Sequence, residues 1–564
     1  MTAARANVYN EPAATSLHHA EHYGKCEFSR PEPIFETRFM QIVLIVLFAA
    51  LLSLPNLALE YPLYRPLTAP TPTLAAAGIL TLIIPILAGL GSWACLRRLR
   101  LPGGFPYAAT LFGHIHAGMR LGLLLAFALL VSQTGWLGMV RHGWHLARFP
   151  FLDEFALVTP VLLGAVLSWL VLYPADRALR QAAAATLPPE PHARPIWSLL
   201  QYLDFQVRNQ ILTVLVPMGL FIVAADLMAV YGDRLVEWTD LAWIPEAALA
   251  VVAALIFLIS PLMLRFIWQT QRMEPSPLRS RLEDTCRRLG LKYRDILIWK
   301  SHGAMVNAAV MGLLPPVRYI LLSDGLLDHL SREQVEAVFG HEAGHVKEHH
   351  IAWYMIFAIG SMLAVSLAGE WLNHAADLSR QAVELTTAGT VAFIWIVIFG
   401  WISRRFERQA DLYGVRCLDG AIPYCSLPCW RHNITPPTAI GEQVCTSAAQ
   451  IFASALEAVA ALNGISKYAR SWRHSSIASR QDFIRQVAFY PESLSRFERS
   501  VRRIKAALLG ITFTLSVLAA WFYWPMLWPR HPQDFQYRRE PAVWVQRSSP
   551  ATSPASPERN AARC

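Results

Sequence analysis

Long apolar runs recur along most of the chain, and shorter polar stretches separate them. Runs of about 18 or more apolar residues can cross a bilayer as helices. The fourth, seventh and eighth runs are short, and a buried core helix is the alternative for each. The pattern predicts a mainly α, polytopic membrane protein with about nine transmembrane helices. The nine runs are Phe39–Leu59, Leu74–Leu96, Leu121–Val140, Phe155–Leu172, Ile211–Val230, Ala247–Leu264, Ile351–Leu367, Thr387–Ile402 and Ala506–Met526.

The polar residues around these runs predict a domain order. The small region before the seventh run has the pattern of an α+β domain, with strands at Asp295–Ser301, Ala304–Met311 and Val317–Leu322. A Ser331-x-x-Gln334 capping box then opens a helix. The expected domains are a polar N-terminal segment (1–38), a six-span module (39–268), a polar domain (269–505) that includes a two-span hairpin (351–402) and a cysteine-containing insertion (417–445), a last transmembrane helix (506–528) and a disordered Pro/Ser/Arg-rich tail (529–564).

The distribution of arginines predicts the orientation. Loops after the second and fourth runs are rich in arginine, whereas the loops after the first, fifth and seventh runs hold one arginine each. The positive-inside rule then places the N-terminus and the polar regions 265–350 and 403–505 in the cytoplasm. The N-terminal segment lacks the pattern of a cleavable signal peptide. We therefore expect an integral protein of the cell (inner or plasma) membrane.

Composition and charge support the membrane prediction. Hydrophobic residues make up 54% of the chain and charged residues only 16%, with a mean hydropathy of +0.32, whereas soluble domains average about 25% charged residues. The net charge is +10, and the arginines in loops suit contact with an anionic lipid surface. The sequence has no nucleic-acid-binding motif, so the expected partners are the lipid bilayer and no nucleic acid.

The segment 339–345 reads FGHEAGH and contains the pattern His-Glu-x-x-His. Residues four apart lie on one face of a helix, about 6 Å apart along its axis. His341 and His345 can therefore bind one zinc ion, and Glu342 can act as a general base on zinc-bound water. The alternative is a helix with surface histidines, which the predicted cap and the mid-helix position of the motif disfavour.

A catalytic zinc ion needs a third protein ligand. His349 lies about 12 Å beyond His341 along the same helix axis, too far to share the ion; His349 and His350 are instead predicted as helix-end or interfacial residues. Glu407 is the favoured ligand. Asp411, one turn later, can accept the ring N–H of a ligand histidine. An ordinary charged helix face is the alternative for both carboxylates.

The predicted membrane topology allows this ligand set. His345 precedes the seventh run and Glu407 follows the eighth, so two crossings separate them. Both residues then return to the same side of the membrane, as one zinc site requires. We expect a catalytic site on the cytoplasmic side, at the base of the hairpin.

These motifs resemble the membrane metalloproteases of the HtpX and CAAX-prenyl-endopeptidase type, over roughly residues 269–487. The resemblance implies one catalytic Zn²⁺ at His341, His345 and Glu407, with Asp411 behind the ligands. It also implies that Asn307 lies on an edge strand beside the bound substrate; a plain strand residue is the alternative.

The same resemblance implies roles for two later residues. His474 and Arg480 keep the His-x5-Arg spacing of the family, so His474 would help to stabilise the oxyanion and Arg480 would brace the site. The family's two prolines are replaced here by Ser475 and Ser476, a departure that bears on the assignment of His474.

Four of the eight cysteines lie between Cys417 and Cys445. A cytoplasmic location disfavours disulfides. A structural zinc site formed by Cys425, Cys429, Cys417 and Cys445 is one interpretation, and reduced thiols or a redox-sensitive loop are the others.

The sequence therefore predicts a zinc metalloendopeptidase that hydrolyses peptide bonds of membrane-associated or misfolded proteins. In this mechanism Glu342 takes a proton from the attacking water and passes it to the leaving amine. The rival interpretations are a membrane signal receptor or regulatory protein with a similar zinc domain, and an inactive membrane scaffold. A scaffold has no need for Glu342.

Overall fold

The computed structural model describes a mainly helical chain. Its described residues are Leu44, Leu47 and 70–527, apart from 187–195, 242, 304, 376–379, 420–421, 423, 426, 434–442, 464 and 470–472. The first predicted span, the N-terminal segment and the tail after 529 lie outside this range, except for Leu44 and Leu47.

Eight helices in the described part are long and apolar enough to cross a membrane, and they coincide with the second to ninth predicted runs. The prediction of a polytopic, mainly α protein with a small sheet is confirmed. Even the short fourth, seventh and eighth runs lie in helices that are long enough to cross a membrane. The spanning helices are α1 (Pro70–Leu99), α2 (Phe105–Gln133), α3 (Leu152–Thr186), α4 (Leu199–Thr239), α5 (Ile244–Ile267), α9 (His350–Ala375), α10 (Arg380–Phe393) continuing through a π-helical turn (Ile394–Phe399) into α11 (Gly400–Asp419), and α14 (Pro491–Leu527).

The remaining elements form a small α+β region and a helical region near the hairpin. Their bounds are β1 (Thr270–Arg272), α6 (Pro277–Leu289), β2 (Asp295–Trp299), β3 (Ala308–Met311), β4 (Tyr319–Ser323), α7 (Asp324–His329), α8 (Arg332–Lys347), α12 (Thr446–Leu462) and α13 (Ile477–Phe489). The three predicted strands are present as β2, β3 and β4. Two start later than expected, β3 at Ala308 and β4 at Tyr319.

The four strands form one sheet in the order β1-β2-β4-β3. β2 and β4 are parallel, whereas β1 and β3 pair antiparallel with their neighbours. β3 therefore lies at an edge. The tight turn between β3 and β4 needs Gly312, because its φ is +104° and a Cβ atom there would lie 2.4 Å from the carbonyl oxygen of Val317.

Aromatic packing holds the sheet against the first spans. The indole of Trp299 on β2 stacks on Trp268 at the end of α5, with ring centroids 5.0 Å apart, and lies parallel to Phe205 of α4. The Trp197 indole donates a hydrogen bond to the carbonyl of His302 at 3.0 Å. The sheet and the first membrane helices thus share one buried cluster.

Helix α8 begins as the sequence predicts. The Ser331 hydroxyl accepts from the Gln334 amide, and the Gln334 side chain accepts from the Ser331 amide, which satisfies two N–H groups that the first turn leaves unpaired. Farther along, the buried carboxylate of Glu336 accepts hydrogen bonds from Arg281 and Thr285 of α6 at 2.5 and 2.7 Å. These bonds join α8 to α6.

Helices α8 and α11 approach each other very closely. A Cβ atom on Gly340 would lie 2.8 Å from the Cβ of Cys417, and one on Gly344 would lie 2.7 Å from the Cβ of Tyr413 and 3.1 Å from the Cα of Ala410. Glycine at these two positions, four residues apart on one face of α8, is what permits the approach. The contact brings the predicted ligands of both helices together.

Candidate metal centre

His341 and His345 lie one turn apart on α8 and turn toward α11. Their Nε2 atoms are 3.3 Å apart. His341 is only 8% exposed, and its ring lies near the Phe452 ring of α12. His345 is half-buried. An imidazole pair at this distance suits two nitrogen ligands of one ion.

The carboxylate of Glu407 lies near both imidazoles. One carboxylate oxygen of Glu407 lies 3.8 Å from the His341 Nε2, and the other lies 3.7 Å from the His345 Nε2. Tetrahedral zinc with nitrogen and oxygen ligands at about 2.0–2.2 Å separates neighbouring ligand atoms by about 3.3–3.6 Å. The three distances, 3.3, 3.7 and 3.8 Å, of which the last two involve different oxygens of Glu407, are close to this spacing. Two histidines and a glutamate are also a donor set that catalytic zinc sites use, so these residues fit a zinc ion.

Asp411 and Arg480 fix the orientation of His341. A carboxylate oxygen of Asp411 lies 2.9 Å from the His341 Nδ1, so Nδ1 carries the proton that is donated and the Nε2 lone pair faces Glu407. The guanidinium of Arg480 donates to both oxygens of Asp411, at 2.9 and 2.5 Å. Arg480 and Asp411 are both buried.

These neighbours also set the charges around His341. Burial disfavours the imidazolium form, but the hydrogen bond and charge of Asp411 outweigh burial and raise the pKa of His341. For Arg480, burial again opposes the charge, and the adjacent carboxylate of Asp411 raises its pKa above the ordinary value. Arg480 is therefore a permanent cation.

His345 has a different set of partners, which the sequence did not reveal. Its Nδ1 lies 2.8 Å from the Nδ1 of His350, and the His350 Nε2 lies 3.1 Å from the side-chain oxygen of Gln409. The Gln409 amide donates to Glu348 at 2.5 Å, and Lys505 of α14 contacts the same carboxylate at 3.0 Å. A hydrogen-bonded chain thus leads from His345 to the last membrane helix.

This chain determines the tautomer of His345. The Gln409 amide group donates to Glu348, so its oxygen must accept from the His350 Nε2–H. A neutral His350 then has a lone pair on Nδ1, which accepts from the Nδ1–H of His345. The Nε2 lone pair of His345 is left facing His341 and Glu407. Burial, followed by the neighbouring His341, lowers the pKa of His345 to about 4, which keeps the ring neutral.

His349 and His350 occupy very different environments. His349 is exposed and has a left-handed φ of 56° at the turn between α8 and α9. His350 is buried, and its ring stacks on Phe406 with centroids 4.5 Å apart. The helix-end prediction describes His349. For His350, the same prediction did not include the contact with His345.

Glu342 follows His341 on α8 and is half-buried. It is close enough to Arg480 to contribute to that residue's raised pKa. The structure thus places Glu342 on the ligand helix, directly after the first imidazole.

The structure brings His474 into the cluster as well. Its Nδ1 lies 3.1 Å from an oxygen of Glu407, and the side chain is 40% exposed. Asn307 instead lies one residue before β3, where its backbone N–H donates to the Ser323 hydroxyl at 2.9 Å and its carbonyl accepts from the Ser323 amide at 3.0 Å. Asn307 therefore extends the edge strand beside α8.

Comparisons with known proteins identify this region. Residues 274–424 match the family model described as Peptidase family M48. This region is therefore similar to the M48 peptidase family. The M48 match includes α6, the strands β2, β3 and β4, α8 and α11, and it ends before His474 and Arg480.

Several relatives of the M48 domain are described as proteases. The Protease HtpX homolog of Archaeoglobus fulgidus is 28% identical over 172 residues, which are 30% of this chain and 50% of that protein. The homolog of Aeropyrum pernix is 27% identical over 216 residues (36% and 66%), and that of Neisseria gonorrhoeae is 29% identical over 147 residues (24% and 52%). The chain spans about half the length of the first and third of these relatives. The predicted resemblance to HtpX-type proteases is confirmed.

One solved structure also aligns with the chain. The crystal structure of S. mikatae Ste24p is 15% identical, and the alignment covers 74% of this chain and 99% of that chain with a TM-score of 0.44.

Proposed function

We propose that this protein is a membrane-embedded zinc metalloendopeptidase, with zinc held by His341, His345 and Glu407. The observation that carries the proposal is the cluster of His341, His345 and Glu407, in which the two Nε2 atoms lie 3.3 Å apart and each lies 3.7–3.8 Å from an oxygen of Glu407. Glu342 follows His341 directly on α8. The M48 match over residues 274–424 supports the same reaction class. The proposed substrates are membrane-associated or misfolded proteins.

The residues around the ligands have separate proposed tasks. A zinc ion bound there would polarise the scissile carbonyl and lower the pKa of a bound water toward about 7. Glu342 accepts the proton from the attacking water and later gives it to the leaving amine. His474, which contacts Glu407, donates an N–H to the developing oxyanion. Asp411, Arg480 and His350 hold the two imidazoles in the tautomers that leave both Nε2 lone pairs free.

The position of the centre suggests how a substrate reaches it. Helices α8 and α9 meet at the turn around His349, and Glu407 lies near the end of the returning arm, so the ligands lie where the hairpin leaves the membrane. We place this surface on the cytoplasmic side of the cell membrane, as the arginine-rich loops indicate. An extended peptide could pair with the outer edge of β3, next to Asn307, because edge strands present unpaired backbone groups.

Replacing Glu342 by Gln tests the reaction. The carboxamide keeps the shape of the side chain but cannot accept the proton, so cleavage of an unstructured protein in detergent should fall at least about 100-fold while bound zinc is unchanged. Glu333→Gln, at the start of the same helix, is the matched control and should keep full activity.

Two results would overturn the proposal. Normal cleavage by Glu342→Gln would remove Glu342 from its role. A wild-type protein that binds zinc but cleaves no substrate would favour the receptor or scaffold interpretation.

A further inference from the structure

A second group of metal-binding side chains lies in the segment that follows α11. Cys425, Cys429, His432 and Cys445 each offer one atom, and these four atoms all lie within 4.8 Å of one another. The sulfurs of Cys425 and Cys445 are 3.1 Å apart, and the Cys429 sulfur is 3.6 Å from the His432 Nδ1. All three cysteines are buried, and His432 is half-buried.

These distances can be compared with those of a disulfide and those of a zinc site. A disulfide holds its sulfurs about 2.05 Å apart, so the Cys425–Cys445 pair is about 1 Å too long. Tetrahedral zinc with Zn–S of about 2.3 Å and Zn–N of about 2.05 Å places sulfur and nitrogen about 3.6 Å apart, and two sulfurs about 3.8 Å apart. The Cys429–His432 distance equals the first value. The 3.1 Å between the sulfurs of Cys425 and Cys445 lies between the disulfide value and the value for two zinc-bound sulfurs, and is nearer to the second.

Polar contacts organise the backbone around these residues. The Asn433 side chain accepts from the Cys429 amide at 2.7 Å and donates to the carbonyl of Cys425 at 3.0 Å, which fixes the turn between the first two cysteines. The Thr446 amide donates to the Cys429 sulfur at 3.5 Å. Such a bond stabilises a thiolate, the form in which cysteine binds a metal.

We propose that Cys425, Cys429, His432 and Cys445 bind a second, structural zinc ion. Three thiolates and one imidazole form a complete tetrahedral set, as in closed structural zinc sites, and leave no position for a substrate. Cys417 is not part of this set, in contrast to the grouping considered from the sequence. It lies on α11 against Gly340, where a Cβ atom would be 3.1 Å from its sulfur.

The location of the cluster indicates what the ion does. Cys445 immediately precedes α12, and its amide donates to Asp419 at the end of α11 at 3.1 Å. Phe452 of α12 lies beside Gly414 of α11 and near the ring of His341. An ion at the cluster therefore fastens α12 to the helix that carries Glu407, without touching the reacting atoms.

Metal analysis of the purified full-length protein in detergent tests this proposal. We expect about two zinc ions per wild-type chain, about one in Cys429→Ser and about one in Glu407→Ala, since each variant removes a different ion. Cys417→Ala is the matched control and should keep both ions. Loss of the ion only in Glu407→Ala, with one ion in the wild type, would overturn the second site and leave the proposed protease centre intact.

Cobalt substitution answers the question without depending on how Cys429→Ser folds. The proposed catalytic ligands include no sulfur, so we expect the cysteine cluster to give a near-ultraviolet thiolate-to-cobalt charge-transfer band in cobalt-loaded Glu407→Ala. Absence of that band in a cobalt-loaded sample would contradict the proposal. So would alkylation under denaturing, non-reducing conditions that finds Cys425 and Cys445 blocked, because a disulfide would then explain the pair.

Discussion

Replacing His350 by Phe tests whether the buried hydrogen-bonded chain holds His345, a proposed zinc ligand, in place. The ring of His350 stacks on Phe406, so phenylalanine keeps the packing and removes only the two nitrogen contacts. Those contacts lie 2.8 Å from His345 and 3.1 Å from Gln409. The exchange therefore separates the hydrogen bonds from the shape.

The expected effect is on metal affinity. Loss of a residue that orients a metal-binding histidine weakens binding by about 10–100-fold, which corresponds to about 1.4–2.7 kcal/mol. A separate cost of about 1–3 kcal/mol in stability arises because the Gln409 oxygen loses its donor. The metal and stability effects have different readouts and can be measured independently.

The zinc affinity of the site that contains Glu407 is measured by titration in zinc buffers. Only the ion that is lost in Glu407→Ala is counted. His349→Phe is a demanding control, because His349 is the adjacent histidine but lies exposed at the turn. It should bind zinc as the wild type does. If His350→Phe and His349→Phe bound zinc equally tightly, the chain from His345 to α14 would have no part in orienting the ligand.

Three further variants test the Asp411–Arg480 pair and the packing of α8 against α6 and α11. Asp411→Asn should lower zinc affinity about 10–100-fold and destabilise the fold by about 3–5 kcal/mol, since it removes the carboxylate charge that pairs with the buried Arg480; Asp482→Asn, which changes an exposed carboxylate on the helix of Arg480, should do neither in parallel zinc titrations and thermal unfolding. Glu336→Ala should lower the free energy of unfolding by about 3–5 kcal/mol without changing zinc stoichiometry, and an unchanged unfolding temperature would contradict the importance of the bonds to α6. Gly344→Ala should cost about 1–3 kcal/mol because the new methyl group meets Tyr413 and Ala410; zinc bound as tightly as in the wild type, with no loss of stability, would show that α8 and α11 can separate freely.

Much of the fold could be predicted because short stretches of sequence, such as apolar runs and a capping box, indicate its helices. Apolar length alone located the eight membrane helices of the described region, and the Ser331 capping box located the start of α8. Helix ends were less predictable. For example, α14 begins at Pro491 rather than near Ala506, because its polar first turns continue the helix where no apolar run marks them.

The contributions of His350 and His432 could not be predicted in the same way. Spacing does not distinguish His350 from His349. The distinction arises from the left-handed turn at His349, which starts α9 and directs His350 back toward His345. For the second cluster, attention to cysteines alone favoured Cys417, yet its position on α11 directs it to Gly340. The tight turn held by Asn433 brings His432 to the sulfurs instead.

The proposed zinc ligands and the residues that orient them can come together only late in the synthesis of the chain. His341 and Arg480, which lie 3.5 Å apart, are separated by 139 positions, and the whole hairpin of α9 to α11 lies between them. A ribosome has therefore released both arms of that hairpin before Glu407 can meet the two imidazoles, and still more of the chain before Arg480 can reach Asp411. Binding of the proposed zinc ion would consequently be a late step of biogenesis, after insertion of the hairpin into the membrane.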